Sequence, residues 1–361
     1  MIYCSCSVYL IIITNKMINK KLLFLNAFKL GLCFNVFTFV LAIIYIFAVE
    51  NLLTHPFNFQ PTIQLGTIVT GERIFGSTNT SSYKVLPNWS LVKSKFSLFV
   101  TENQFRADWK QPAPRLEHWC KSNNCCVHRI GHDDQRKMNF KCFTIDDWFI
   151  TNRRLFGSPL ENTVTLVLDK FLKSLPAGSR IILNEPSNLF TNKLTFNSYE
   201  KWVLGLVAKH PQLKFEVGIQ IHLQWVDSFW IYNNWVFPGL NKFSQQHYIP
   251  WGISEFSIYD RVWKRRLSLS VRNRNKFLFQ IESMIPDRLR HAVVLHQAYL
   301  VHYDATRYNA QFVVEWGNFP IIWFSNEIDS DYKSTFALFD LSGQPLPMYW
   351  AIARGISDGK K

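Results

Sequence analysis

Glu102, Asp147, Glu185 and Glu255 each stand at or just past the end of a short β-branched or aromatic run, with an amide, a histidine or a second carboxylate close by. Read in order, these runs end in Thr101-Glu102-Asn103, Gly131-His132, Asp146-Asp147-Trp148 and Asn184-Glu185-Pro186. Later runs carry Gln220 with His222, Ser254-Glu255 and Trp323. Two carboxyls held about 5–5.5 Å apart can cleave a glycosidic bond with retention, one as nucleophile and the other as acid/base. Amides and carboxylates bind hydroxyls, and an indole covers the apolar face of a pyranose. The set therefore suits a sugar, and this chemistry needs no metal or cofactor. A single strand-end Glu is ordinarily a salt-bridge partner. Seven polar strand ends in register point instead to one shared rim.

A rim of that kind has to be built by alternating strands and helices. The candidate strands are Ile63–Val69, Phe96–Val100, Cys126–Ile130, Phe140–Ile145, Arg180–Leu183, Phe215–Ile221, Ile249–Phe256 and Phe319–Phe324. Ser158-Pro159-Leu160-Glu161 reads as a capping box with proline at the first helical position. Val164, Val167, Leu168, Phe171, Leu172 and Leu175 follow at helical spacing, with Gly178 as the stop. Tyr199, Trp202, Val203 and Leu206 repeat the spacing, and Asp287–His302 is a further helix. Strands alternating with helices imply parallel pairing and right-handed crossovers. Eight strands predict an α/β fold, a closed (β/α)8 TIM barrel over residues 62–355, with its site at the C-terminal ends of the strands. A doubly wound sheet is the runner-up. No glycine-rich phosphate loop follows the first strand, which counts against a nucleotide fold.

Against this frame the chain resembles glycoside hydrolase family 10, the endo-β-1,4-xylanases, over about Ile63 to Ile352. Phe99-Val100-Thr101-Glu102-Asn103 resembles the family's second strand, which binds sugar, with Arg106 where the family usually has Lys. Val217-Gly218-Ile219-Gln220-Ile221-His222-Leu223 is similar to its sixth strand and is the most specific match. Ile253-Ser254-Glu255-Phe256-Ser257 resembles the nucleophile strand. Leu338-Phe339-Asp340 and the stretch from Pro345 to Ile352 resemble its closing segment, and Trp323 falls near the tryptophan that roofs the site. The resemblance implies a retaining glycosidase acting on a β-1,4-linked polysaccharide, xylan-like in the family pattern. Glu255 would be its nucleophile. Glu102, Asn103, Arg106, His132, Asn184, Gln220, His222 and Trp323 would hold the sugar and the nucleophile. The family's acid/base Glu follows Asn at the end of the fourth strand, and two placements compete. Asn184-Glu185 is that pair, or Arg180–Glu185 is the fifth strand and Asp147 takes the acid/base position. Either way the chain is short of about one βα segment. The alternative function is a glycan-binding barrel impaired in catalysis.

The remaining signals concern location and partners. Leu30–Val49 is a 20-residue stretch without a charge, preceded by Lys16, Lys20, Lys21 and Lys29. It predicts an N-terminal transmembrane signal-anchor, with a cytoplasmic tail at 1–29, a linker at 50–61 and a short tail at 356–361. The barrel would then be lumenal or extracellular, or secreted if the leader is cleaved. Asn79-Thr80-Ser81 and Asn88-Trp89-Ser90 are glycosylation acceptors that fit this route. Cys120, Cys125, Cys126 and Cys142 could form two disulfides in three pairings. The net charge is +14, but it is scattered apart from Arg261 to Lys276, so a nucleic-acid partner is not expected.

Overall fold

The computed structural model describes residues 37–69, 93–101, 114–129, 140–154, 161–224, 227, 229–259, 285–315, 338–339 and 343–361. The chain divides into two units, Met1–Asn51 and Leu52–Lys361. The described residues 37–53 are α-helical (α1). Many of their apolar side chains are exposed, among them Phe37, Phe39, Ile44 and Phe47. Among the described residues no helix is long and apolar enough to cross a membrane. The first part of the expected anchor, residues 30–36, lies outside the described residues.

The second unit is a parallel barrel. Its strands are β1 (Gln64–Val69), β2 (Leu98–Thr101), β3 (Val127–Arg129), β4 (Cys142–Asp146), β5 (Arg180–Pro186), β6 (Lys214–Gln224), β7 (Trp251–Tyr259) and β8 (Phe312–Glu315). They are joined in the order β2-β1-β8-β7-β6-β5-β4-β3. Every pair is parallel. A single parallel bridge, Val100 to Cys126, joins β2 to β3 and closes the ring. Around it lie α2 (Pro114–Ser122), α3 (Trp148–Asn152), α4 (Glu161–Lys173), α5 (Ser187–Phe190), α6 (Lys193–Lys209), α7 (Phe237–His247), α8 (Asp287–Arg307) and α9 (Pro347–Gly359). A π-helical turn, Tyr232–Val236, leads into α7.

Local chemistry accounts for the elements beside the rim. Strands covered on both faces must be apolar on both. Ile181, Ile182, Leu183, Val217 and Ile219 are accordingly all buried. Gly178, at φ 77°, supplies the left-handed turn that leads into β5. Asn192 caps α6, its Oδ1 accepting from the backbone N–H groups of Leu194 (3.0 Å) and Thr195 (3.1 Å). Inside the barrel, Ile68, Leu98, Val100, Cys126, Cys142, Ile182, Phe312 and Val314 form one apolar cluster. Each fully buried side chain of this kind stabilises the fold by about 1.5–3 kcal/mol.

The architecture decides one open alternative and corrects two expectations. All eight strands are present, so no strand has been lost. Only the β3–β4 connection is short, with twelve residues between Arg129 and Cys142. Arg180–Pro186 is the fifth strand, paired with β4 on one side and β6 on the other, which removes the first of the two placements. The strand that fills the eighth position of the barrel is Phe312–Glu315, and the expected Phe319–Phe324 lies outside the described residues. Its four residues are a weaker signal than the longer apolar run that follows, and pairing with β1 and β7 selects it. Finally, the last helix continues to Gly359, so residues 356–359 are not a tail. The capping box at Ser158, the acceptor triplets at Asn79 and Asn88, and the cluster from Arg261 to Lys276 lie outside the described residues.

Candidate active site

Strand alternation decides which side chains reach the lumen. On β4, Cys142 lies in the apolar cluster, and Asp146, four residues on, faces the same way. On β5, Ile182 lies in the cluster and Asn184 sits above it. Asn184 is the centre of the site. Its Nδ2 donates one hydrogen to Asp146 Oδ1 (2.5 Å) and the other to Glu255 Oε1 (2.7 Å). Its Oδ1 accepts from Ser254 Oγ. One amide nitrogen thus holds two carboxyls, whose nearest oxygens are no further apart than the sum of those two lengths.

A bulge in β7 makes this possible. The register with β6 passes from Ile219–Ile253 to Gln220–Glu255, leaving Ser254 as the extra residue. Such an insertion changes the parity of the strand. Glu255 therefore shares its face with Ser254 and Ser257, where simple alternation would have put it with Ile253. Gly218 supplies the space on β6. A Cβ there would lie 2.6 Å from Ser254 Oγ and 2.8 Å from Ile182.

Glu255 is gripped from a second side. His222 Nε2 lies 3.2 Å from Glu255 Oε2, and His222 Nδ1 lies 2.6 Å from Ser257 Oγ. With Glu255 ionised, Nε2 carries the proton and Nδ1 accepts from the serine. Gln220 Nε2 donates to Asp147 Oδ1 at 3.0 Å. Asp147 is half-buried, and its carboxyl titrates above its ordinary range because of burial and then the charge of Glu255. Asp146 is held well above that range by burial first and the Glu255 charge second, with the Asn184 bond opposing.

Glu185 does something different. Its neighbour Asn184 faces the lumen, so Glu185 faces the helices, and it is fully buried. Its Oε1 accepts from Phe149 N (2.7 Å) and its Oε2 from Ile150 N (3.1 Å). Those are the second and third N–H groups of α3, the pair a helix N-cap side chain normally satisfies. The N-cap residue here is Asp147, in the left-handed region at φ 49°, and its side chain makes no cap bond. Glu185 caps α3 in its place, and the Asp147 carboxyl is left to turn to Gln220. A non-glycine residue in that conformation costs about 1–3 kcal/mol, which the surrounding structure must offset.

Burial raises the Glu185 carboxyl to about 8, outweighing its two backbone donors. Its unfolded value is the ordinary 4.5. The folded state therefore holds this proton more tightly. The resulting stabilisation is complete below about pH 4.5 and is lost as the pH rises toward 8. Glu185→Gln is expected to remove this slope. Between pH 5 and 8 the thermal midpoint of the wild type should fall relative to that of the variant by on the order of 5–10 °C. Parallel midpoint curves for the two proteins would contradict it.

The barrel brings together Asp147, Asn184, Gln220, His222 and Glu255. It places Glu185 outside the lumen. Glu102, Asn103, Arg106, His132 and Trp323 lie outside the described residues. Asp146 and Ser254 join the network although their strand-end positions carried no assigned role. Period-two alternation from Cys142 could have identified Asp146, whereas Ser254 depends on the bulge. Glu315 ends β8 but points away from the site, its Oε1 lying 2.7 Å from Nε2 of the buried His302. Among the described residues no cluster of His, Cys, Asp or Glu could hold a metal ion.

The same architecture occurs in solved xylanases. An endoxylanase of glycoside hydrolase family 10 retrieved from a sugarcane soil metagenome superposes with a TM-score of 0.52 at 11% identity, covering 81% of this chain and 96% of that one. Xylanase10C from Cellvibrio japonicus gives 0.51 at 12% identity, over 84% and 72% of the two chains. A mutant of xylanase A from P fluorescens subsp. cellulosa, in complex with xylopentaose, gives 0.50 at 13% identity, over 82% and 98%. No protein-family profile and no curated protein sequence matches this chain. The chain has the fold of the family 10 xylanases, as its motifs implied, with a sequence far diverged from theirs.

Proposed function

We propose that this protein is a retaining glycoside hydrolase acting on a β-1,4-linked polysaccharide of the xylan type. Glu255 is the nucleophile and Asp147 the acid/base. The observation that carries the reading is the clamp on Glu255. Asn184 and His222 each donate to one of its oxygens, and Asn184 joins it to Asp146, the last residue of β4, on the C-terminal side of the barrel where such barrels do their chemistry. A carboxylate fixed in this way is oriented for attack on an anomeric carbon. Asp147 feels the charge of Glu255 and titrates high, which suits a group that must give a proton to the leaving oxygen. When Glu255 is neutralised by the glycosyl bond, that charge vanishes, and Asp147 becomes the base that activates water. Asp146 and Asn184 lie beside the reacting centre, placed to bind hydroxyls.

The test is to incubate the wild-type protein with xylo-oligosaccharides and follow the anomeric signals by NMR. The first product should appear as the β-anomer and then mutarotate. Initial release of the α-anomer would overturn the nucleophile assignment. Binding of xylo-oligosaccharides without turnover would replace the enzyme with a glycan-binding barrel.

A further inference from the structure

The barrel closes at its weakest point through sulfur-bearing residues. β3 has three residues, and its link to β2 is the single bridge at Cys126. There Cys126 N donates to Phe99 O at 2.7 Å, and Thr101 N donates to Cys126 O at 2.9 Å. The Cys126 side chain faces the lumen and is disulfide-bonded to Cys142, tying β3 to β4. Cys125, the preceding residue, comes directly after the end of α2, on which Cys120 lies. Cys120 on α2 is there to meet it. Both are thiols in the structure and both are buried, at 0% and 1% exposure. Burial first and the neighbouring Cys120 second push the Cys125 thiol up.

The backbone holds this pair in place independently of the sulfurs. α2 ends with Asn124 in the left-handed region at φ 53°, and Cys125 N donates to Cys120 O at 3.0 Å. This six-to-one bond marks a Schellman-type helix end, in which the side chains of those two positions come into contact. In most proteins that contact is apolar; here it joins two cysteines.

We propose that Cys120 and Cys125 form a second disulfide, pinning α2 to the outer side of β3 while Cys126–Cys142 secures the inner side. Of the three pairings open to the four cysteines, the structure admits this one. Cys126 is bonded to Cys142 on the β4 side while Cys125 follows the end of α2 that carries Cys120, so neither can reach the other's partner without rebuilding the entry to β3. Oxidation joins the two Sγ atoms and gives two electrons and two protons to a disulfide oxidant such as glutathione disulfide, whose own S–S bond breaks to two thiols. Because both sulfurs are buried, the bond forms during folding, before α2 packs. Its consequence is mechanical. The entry to β3, whose link to β2 is a single bridge, is held covalently to β4 on one side and to α2 on the other, next to the strand that leads to Asp146 and Asp147.

Peptide mapping tests the proposal without relying on catalysis. The full-length protein is recovered from the secretory pathway of a eukaryotic host, alkylated in denaturant without reduction, and digested with trypsin. Cleavage after Lys121 separates Cys120 from Cys125. The peptide containing Cys120 should remain attached to the one containing Cys125 and Cys126, and the latter to the peptide containing Cys142. In a Cys142→Ser variant the first attachment should persist, with Cys126 alkylated. In a Cys120→Ser variant the second should persist, with Cys125 alkylated. Replacing Cys120 and Cys125 together by Ser should lower the thermal midpoint of the oxidised protein by about 4–8 °C. Alkylation of Cys120 and Cys125 in protein whose Cys126–Cys142 bond is intact would overturn the proposal. So would attachment of Cys120 to Cys126.

Discussion

Glu255→Gln is expected to lower kcat/KM on an aryl β-xyloside or a xylo-oligosaccharide by on the order of 10⁴-fold or more. The amide keeps the shape of the side chain and removes the attacking oxygen's charge. Asn184 Nδ2 and His222 Nε2 then face a group that can accept from only one of them. Losing one such bond costs about 1–3 kcal/mol, so the protein should still fold and bind ligand. A 2-fluoro xylosyl reagent should label the wild type at Glu255 and leave the variant unlabelled. Hydrolysis that survives Glu255→Gln, or a label on another residue, defeats the assignment. The competing role for this residue is an ion pair that stabilises the barrel. That role predicts a fall in the thermal midpoint with turnover intact.

Asp147→Asn should separate substrates by their leaving groups. A general acid contributes about 10²–10⁴-fold, and mainly where the leaving oxygen needs a proton. Xylo-oligosaccharides should lose that much in kcat/KM, while an aryl glycoside with an acidic phenol should lose little. The alkaline limb of the pH–rate profile should disappear with the carboxyl. Adding azide to Asp147→Ala should restore turnover of the aryl substrate and give a β-glycosyl azide. Asp147→Glu adds one methylene, and since about 1 Å of misplacement can cost on the order of 100-fold, it should change the rate more than it changes binding. Glu185→Gln supplies the contrast. Glu185 grips the first turn of α3 and acts on Asp147 only by releasing it from capping, so its loss should slow all substrates alike. A leaving-group-selective loss in Glu185→Gln, and none in Asp147→Asn, would exchange the two roles.

The two carboxylates show how far residue patterns reach. Asn184-Glu185 reads as an acid/base pair in the sequence, and the spacing to the sixth strand favours instead a fifth strand at Arg180–Glu185 with Asp147 in the acid/base position. Pairing fixed their positions in the barrel. β5 lies between β4 and β6, so Asn184 takes the lumen and Glu185 the helix side. Nothing local to Glu185 records that its oxygens meet α3, 35 and 36 residues earlier in the chain. Similarly, Glu255 could be assigned to the rim, but not the reason it faces Asn184. Period-two alternation places it with Ile253, and only the extra residue at Ser254, visible against β6, corrects the parity.

Composition and the alternation of short apolar runs with amphipathic stretches determined the class, a barrel of parallel strands with helices around it. These are local properties: each run must bury its own apolar faces, and the period of the run states how. The glycine at 218 and the spacing of Gln220 and His222 likewise marked the strand that carries part of the site. The eighth strand, the pairing of the cysteines, the division of labour between Asp147 and Glu185, and the clamp on Glu255 were decided by tertiary structure. Each depends on contacts between residues distant in the chain, such as β8 against β1 or Cys126 against Cys142. Such contacts form only when the ring closes, and no stretch of sequence contains both of their sides.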